Sequence, residues 1–172
     1  MNAKVSVLMG SDSDLPRMRE TAKVLEDLGV GFEITIASAH RTPDRVEEYV
    51  RSAPERGIEV FIAGAGGAAH LAGVVASLTT LPVIGVPLSG SALGGVDALY
   101  ATVQMPSGVP VATVAVDGAK NAGILAVQIL ALKYPDLMKR LVEYRKGLTS
   151  TVVEKARRLE ELGLDGYQVE AK

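Results

Sequence analysis

Residues 58–87, with the sequence IEVFIAGAGGAAHLAGVVASLTTLPVIGVP, decide the fold class of this chain. The run from Ile58 to Ala63 is typical of a strand buried on both faces of a parallel sheet. A glycine-rich loop follows, then a small-residue helix from about Ala68 to Leu78 and a second apolar strand from Val83 to Val86. This order predicts two parallel strands joined by a right-handed crossover.

The same alternation of strands and helices continues on both sides of this unit. Five strands alternating with helices predict a parallel sheet covered by helices on both faces, and the flavodoxin-like strand order is the one we expect. The chain is therefore predicted to be an α/β protein, a three-layer flavodoxin-like sandwich with a five-stranded parallel sheet. The other predicted strands are Val5–Met9, Phe32–Ala37 and Val109–Val116, and the other predicted helices are 15–28, 42–56, 96–103 and 121–132.

Residues 135–172 are predicted to extend the domain of residues 1–134 by a helix or helices. The helical pattern runs from Pro135 to about Leu162. The compact domain already has its helices, so we expect the apolar stripe of this extension to pack on neighbouring subunits. A helix folded back on its own domain is the alternative. The stripe consists of Leu137, Leu141, Tyr144, Leu148, Val152 and Leu159.

The composition argues against several classes of partner. The 172 residues carry 18 Lys and Arg against 20 Asp and Glu, with no charge block to attract nucleic acid or an anionic membrane. The chain has no cysteine, which excludes disulfides, thiolate metal sites and cysteine nucleophiles. Glycine and proline interrupt the stretch from Val60 to Val96 too often for a membrane-spanning helix, and Met1 to Val5 lack a signal-peptide pattern. We expect a soluble, cytoplasmic protein.

The unusual sequence lies where the predicted strands end, at the edge where parallel sheets bind ligands, in residues 10–14, 38–43, 64–70 and 87–95. After the first strand, Gly10-Ser11-Asp12-Ser13-Asp14 opens a helix, whose free N–H groups and dipole suit a phosphate. The serine hydroxyls add donors, and a carboxylate can hold ribose hydroxyls. Ordinary N-capping by Ser13 or Asp14 is the alternative, and it is favoured for this motif taken alone.

The second motif, Ser38-Ala39-His40-Arg41-Thr42-Pro43, also stands at a predicted helix start. Arg41 could clamp a phosphate through two hydrogen bonds, and the imidazole of His40 suits proton transfer near neutral pH. A surface His and Arg beside a helix cap is the alternative. The chain has only 2 His, both in strand-end loops, which favours a function.

The third motif, Gly64-Ala65-Gly66-Gly67-Ala68-Ala69-His70, has glycines that let the backbone approach a flat ligand closely. Tight packing of helix on strand accounts for some of them. The motif also fits the dinucleotide pattern G-x-G-x-x-A, but no acidic residue stands about 20 residues later to hold a ribose. A phospho-acceptor site of the receiver type is disfavoured, because it would need an Asp at the end of the third strand, where Gly64 and Ala65 stand. A metal site is also disfavoured, because no recognisable metal-ligand spacing relates His40, His70, Asp12 and Asp14.

Together these segments resemble the 5-(carboxyamino)imidazole ribonucleotide mutases and the related aminoimidazole ribonucleotide carboxylases. Five motifs in register carry the resemblance over about residues 4–135: the three above, LPVIGVP at 81–87, and Gln104-Met105-Pro106. The chain departs from the family pattern at Ala72, where proline is usual, and at Ala98 and Ala101-Thr102, where serine-rich versions are usual. These departures concern loop rigidity rather than the chemistry.

The resemblance implies an enzyme of de novo purine biosynthesis that moves a carboxylate from the exocyclic nitrogen to ring carbon 4 of an aminoimidazole ribonucleotide. It also implies a homo-octamer whose C-terminal helices reach across subunits, and no metal or organic cofactor. His40 would be the catalytic acid and base, and His70 would orient the carboxylate or cap its helix. The remaining substrate-binding residues would be Ser11, Ser13, Ser38 and Arg41 for the phosphate, Asp14 for the ribose, and Gly64, Ala65, Gly66, Gly67 and Ala68 for the base and carbon dioxide.

Two alternatives stay open from the sequence. The carboxylase branch takes free carbon dioxide and aminoimidazole ribonucleotide directly, with the same fold and most of the same site residues. The absence of a fused second domain favours the mutase. A non-catalytic nucleotide-binding module of the same fold would have no need for His40.

Overall fold

The computed structural model describes residues 3–169 and contains the predicted parallel sheet. Its strand order is β2-β1-β3-β4-β5, which confirms the flavodoxin-like prediction. The order reverses between β1 and β3, and a crevice for ligands is expected outside the carboxyl ends of these strands. The strands are β1 (Val5–Met9), β2 (Phe32–Ile36), β3 (Val60–Gly66), β4 (Val83–Leu88) and β5 (Ala112–Thr113).

Between residues 3 and 169, six α-helices cover both faces of the sheet. One core, around Val7 and Ile62, lies beneath α1, α5 and the first turns of α6. The other core, around Leu8 and Phe61, lies beneath α2 and α3 on the opposite face. The helices are α1 (Leu15–Asp27), α2 (Pro43–Arg51), α3 (Leu71–Leu78), α4 (Val96–Val103), α5 (Ala119–Ala131) and α6 (Pro135–Gly166).

The third strand lies further along the chain than the sequence predicts. It forms at Val60–Gly66 instead of 58–63, so part of the expected glycine loop pairs with β4. Packing explains the shift, because a Cβ atom on Gly64 would lie 2.4 Å from Sδ of Met18. Glycine at this position lets α1 lie close against the strand. Helix α3 accordingly begins at Leu71 rather than near Ala68.

Two other elements are shorter than predicted, each beside a proline. The strand expected over 109–116 pairs with β4 only at Ala112 and Thr113, and Pro110 has no N–H to extend the ladder. The helix expected over 42–56 divides into α2 and a 3-10 turn at Ala53–Arg56, with Pro54 in the first turn of the second piece.

Gly85 in β4 offers a test of how closely α3 and α4 approach the sheet. A Cβ atom there would lie 2.4 Å from Cγ2 of Thr102, 2.9 Å from Cγ1 of Val111 and 3.3 Å from Cβ of Ala72. We expect Gly85→Ala to lower the free energy of unfolding by about 1–3 kcal/mol through overpacking. Gly147→Ala is the control, because nothing lies within 4 Å of its added Cβ and it removes a glycine from a helix. Urea unfolding that ranks the two variants equally would contradict this packing.

Helix α6 has a packed beginning and an exposed remainder. Leu137, Leu141 and Tyr144 pack against the core beneath α1 and α5. Arg140 donates to the carbonyl oxygen of Leu28 at 2.8 Å, near the end of α1. From residue 148 onward the large apolar side chains of this helix are 40–90% exposed, namely Leu148, Val152, Val153, Leu159, Leu162 and Leu164. None of the helices within residues 3–169 is long and apolar enough to cross a membrane.

Glu59 ties the start of α6 to the sheet. Its carboxylate contacts Nζ of Lys4 at 2.8 Å and Nζ of Lys133 at 3.0 Å, and it accepts a hydrogen bond from the Tyr134 hydroxyl at 2.5 Å. Partial burial opposes ionisation, but the hydrogen bonds from Lys4, Tyr134 and Lys133 outweigh it and lower the pKa of Glu59 to about 2.

Because this pKa is lowered on folding, the stabilisation is complete above the ordinary value of 4.5 and is lost as the pH falls towards 2. We expect Glu59→Gln to lower the free energy of unfolding by about 1–2 kcal/mol at pH 7. The difference between variant and wild type should shrink between pH 4.5 and 2. Urea titrations at pH 7 and pH 3 measure both quantities. A difference that is the same at both pH values would contradict a role for the charge.

Candidate active site

A cavity of about 460 Å³ opens at the carboxyl ends of β1, β2, β3 and β4. It lies across the reversal of strand order between β1 and β3, where α/β sheets usually bind ligands. The structure therefore brings together the three motifs that the sequence places at separate strand ends. The predicted site residues that line the cavity are Ser11, Ser13, Asp14, Ser38, His40, Arg41, Ala65, Gly66, Gly67 and Ala68.

The loop after β1 is held by a reciprocal capping arrangement. Oγ of Ser11 accepts a hydrogen bond from the amide of Ser13 at 3.3 Å, and Oδ2 of Asp14 accepts one from the amide of Ser11 at 3.0 Å. Ser11 thus caps a 3-10 turn at Asp12–Asp14, whereas Asp14, the N-cap residue of α1, makes no capping hydrogen bond to that helix. Partial burial raises the pKa of Asp14 despite the Ser11 hydrogen bond. The same residues also line the cavity, so capping and ligand binding are compatible.

His40 and His70 meet at the rim of the cavity. Nε2 of His40 lies 2.8 Å from Nδ1 of His70, and the rings are nearly perpendicular at 84°. At this distance one nitrogen donates and the other accepts, so the two rings share one proton along the contact. His70 occupies the N-cap position of α3, but its side chain makes no capping hydrogen bond. Its side-chain contact is with His40, and both side chains are exposed.

Arg41 links the first two motifs. Its Nη2 donates to the carbonyl oxygen of Gly10 at 3.0 Å, and its Nε lies 3.4 Å from Oγ of Ser38. Thr42 completes the turn, because its hydroxyl accepts from the Ser38 amide and donates to the Ser38 carbonyl, both at 3.0 Å. The guanidinium is held beside the cavity and remains exposed, so it is free to bind an anionic group of a ligand.

The glycine motif supplies one wall of the cavity from backbone rather than side chains. A Cβ atom on Gly66 would lie 3.1 Å from the carbonyl oxygen of Leu88, and Gly67 has a φ of +59°, which favours glycine. Ala65 and Ala68 also line this wall. Gly64 and His70 are not among the lining residues: Gly64 lies against Met18, and His70 contacts His40.

A fourth wall is formed by residues for which the sequence predicted no role. Ser89, Gly90 and Ser91, which follow β4, line the cavity, and so does Arg17 from α1. Residues 87–95 stand out in the sequence as a glycine- and serine-rich stretch at a strand end, so their place at the ligand-binding edge was predicted, but their part in the site was not. Nothing local marks Arg17, which reaches the cavity from the first turn of its helix.

The arrangement combines three kinds of chemistry in one cavity. Arg41 and the hydroxyls of Ser11, Ser13 and Ser38 suit a phosphate. The imidazole pair suits proton transfer to and from a bound ligand. Ala39, Ala65, Ala68 and Leu71 provide small apolar surfaces against which a flat ring fits.

Known proteins share this sequence over most of its length. An N5-carboxyaminoimidazole ribonucleotide mutase of Pyrococcus horikoshii is 61% identical over 163 residues, which is 95% of this chain and 92% of that protein. A phosphoribosylaminoimidazole carboxylase of Schizosaccharomyces pombe is 54% identical over 163 residues, but these make up only 30% of that longer protein.

The fold has a solved counterpart as well. The crystal structure of Treponema denticola PurE superposes with a TM-score of 0.83 at 28% identity, over 91% of this chain and 98% of that one. The model of the AIR carboxylase family matches residues 4–151, a range that contains every residue of the cavity. The chain belongs to the AIR carboxylase family.

Proposed function

We propose that this protein is a 5-(carboxyamino)imidazole ribonucleotide mutase of de novo purine biosynthesis. It moves a carboxylate from the exocyclic nitrogen to ring carbon 4 and gives 5-amino-1-(5-phospho-D-ribosyl)imidazole-4-carboxylate. The observation that carries the proposal is the His40–His70 pair, 2.8 Å apart, beside Arg41 at the sheet edge. Its support from relatives is the identity of 61% to a mutase over nearly the whole chain.

The reaction needs one proton to be delivered and one to be removed. The carbamate bond between nitrogen and carboxylate breaks, carbon dioxide is released within the cavity, and the exocyclic nitrogen takes a proton from His40. Carbon 4 of the freed aminoimidazole then attacks that carbon dioxide, and His40 takes the proton that carbon 4 loses. His40 ends as it began, so one residue serves as acid and then as base. Substrate and product are isomers, and the step consumes no other reactant.

The other predicted residues bind and orient the substrate in this proposal. Arg41 with Ser11, Ser13 and Ser38 holds the phosphate, and Asp14 holds the ribose hydroxyls. The backbone wall from Ala65 to Ala68 lies against the base and retains the carbon dioxide, whereas Gly64 supports this wall from its contact with Met18. His70 acts through its contact with His40, which fixes the direction of that ring. This role replaces helix capping, for which the His70 side chain makes no hydrogen bond.

We further propose a cytoplasmic homo-octamer. The support for assembly is the exposed apolar remainder of α6, from Leu148 to Leu162, which finds no cover within one chain. The cavity of one chain also leaves His40 and Arg41 exposed, and a neighbouring subunit would help to exclude water from them. The cytoplasm follows from the substrate, because a phosphorylated ribonucleotide does not cross membranes unaided.

A direct ultraviolet assay tests the proposed reaction. Freshly made 5-(carboxyamino)imidazole ribonucleotide, without added bicarbonate, should be converted rapidly to the carbon-carboxylated product. Turnover only of aminoimidazole ribonucleotide, and only with abundant bicarbonate, would identify a carboxylase, the activity named for the Schizosaccharomyces pombe relative. Binding of either ribonucleotide without turnover would identify a nucleotide-binding module.

A further inference from the structure

Asp117, which follows β5, makes three polar contacts at the edge of the cavity. Oδ1 accepts a hydrogen bond from the amide of Ser89 at 2.9 Å, and Oδ2 accepts one from its hydroxyl at 2.5 Å. Nε of Arg17 lies 3.0 Å from Oδ1. Ser89 and Arg17 both line the cavity, whereas Asp117 itself does not. One carboxylate outside the cavity thus connects two residues that line it, Ser89 and Arg17.

The backbone at Asp117 is fixed independently of these contacts. Its φ of +56° makes it the only non-glycine residue with a left-handed backbone within residues 3–169. Its amide donates to the carbonyl oxygen of Pro87 at 2.9 Å, which ties it to β4. The next residue is Gly118, where a Cβ atom would lie 2.7 Å from the carbonyl oxygen of Ala115. A backbone in this region persists only where its surroundings hold it.

The loop that Asp117 holds is anchored at both ends. Oγ of Ser91 donates to Oδ1 of Asp97 on α4 at 2.8 Å, and Gly90 between the two serines has a φ of +144°. A glycine in that conformation gives the loop little stiffness of its own. The position of the Ser89–Ser91 wall therefore depends on its two carboxylate anchors. Asp117 is the stronger of these, because it holds both the amide and the hydroxyl of Ser89.

We propose that Asp117 is a positioning residue that fixes the Ser89–Ser91 wall and Arg17 against the cavity and thereby sets the affinity for the ribonucleotide. This inference rests on the proposed function for its ligand. Asp117 touches neither the cavity nor His40, so its removal should weaken substrate binding and leave the proton-transfer step nearly intact. The charge is part of the role, since it pairs with Arg17.

Steady-state kinetics on 5-(carboxyamino)imidazole ribonucleotide test the inference. We expect Asp117→Ala to raise KM about 10-fold or more, the effect of losing charge-assisted hydrogen bonds, with little change in kcat. Asp117→Asn keeps a residue that tolerates the left-handed backbone and can still accept from Ser89, so its KM should lie between wild type and Asp117→Ala. The double variant Ser89→Ala/Asp117→Ala should raise KM less than the two single variants predict together, because the residues act as a unit.

A second measurement reports on the loop without any substrate. Amide hydrogen exchange over residues 88–95 should be faster in Asp117→Ala than in wild type. Asp136→Ala is the matched control, because Asp136 pairs with Lys139 at the surface, away from the cavity, and it should change neither KM nor exchange. An unchanged KM in Asp117→Ala would overturn the inference. This holds even if the melting temperature of the variant falls, because a lower melting temperature with an unchanged KM indicates a structural role alone. If wild type turns over neither ribonucleotide, the proposed function is overturned instead. In that case the exchange measurement still tests Asp117, because unchanged exchange in Asp117→Ala would show that Asp117 does not hold the loop.

Discussion

His40→Asn is expected to lower kcat for the proposed mutase reaction by about 10²–10⁴-fold, the usual contribution of a general acid–base residue. Asparagine can keep one hydrogen bond to His70 but cannot carry a proton to and from the substrate. The substitution removes no contact to the phosphate-binding residues, since the polar contact of the His40 side chain is with His70. The affinity for the ribonucleotide should therefore stay within a few-fold of wild type. Stopped-flow absorbance for turnover and calorimetry for binding measure the two quantities.

His70→Asn is the matched control for this prediction. It removes the other ring of the pair while leaving the proposed proton carrier in place, so its loss of kcat should be smaller than that of His40→Asn. Equal losses would indicate that the two rings act as one proton-carrying unit. Turnover retained in His40→Asn would contradict the mechanism. Tight binding without turnover in wild type itself would favour the binding module.

The fold was predictable because each of its elements carries a local signal. Strands such as Val5–Met9 are short apolar runs buried on both faces, and Gly29 and Gly57, with φ values of +66° and +84°, end the segments that precede β2 and β3. The errors lie where packing overrides the local pattern. Gly64 reads as loop, yet it belongs to β3, because its missing side chain makes room for Met18.

The site was only partly predictable for a related reason. His40, Arg41 and the glycine motif are unusual residues at strand ends, so type and position mark them without a structure. Asp117 carries no such mark: it is an aspartate before a glycine, as in many turns. Its proposed role depends on its contacts with Ser89 and Arg17, which are 28 and 100 residues away in sequence. Contacts of that kind follow from topology, which one sequence specifies only through the whole fold.

The tail shows the same limit. The apolar stripe was predicted as one surface for neighbouring subunits, but the structure divides it. Leu137, Leu141 and Tyr144 pack on the core of their own chain, whereas Leu148 and Val152 are exposed. A truncation near residue 135 would therefore uncover the core and also remove the exposed stripe. A chain that ends after residue 146 would separate the two effects.

Leu148→Glu/Val152→Glu is expected to dissociate the proposed octamer while leaving each chain folded. The two side chains lie four residues apart on one face of α6 and are 50% and 67% exposed, so a single chain loses little packing. Each would contribute about 1–2 kcal/mol per copy if an interface buried its exposed part, and a carboxylate in its place would oppose burial. Light scattering should report a mass near eight chains for wild type and a smaller assembly for the variant, with an unchanged far-ultraviolet circular dichroism spectrum.

Ser150→Glu is the matched control, because residue 150 faces away from residues 148 and 152 on the helix and is also exposed. It adds one negative charge between the two that the double variant adds, so an assembly that it disrupts as strongly would mean that charge rather than the apolar stripe is responsible. A wild type of one chain's mass would contradict subunit exchange through α6 altogether. If dissociation also lowers kcat, expressed per chain, a neighbouring subunit completes the cavity around His40. Full turnover by the dissociated variant would assign the whole site to a single chain.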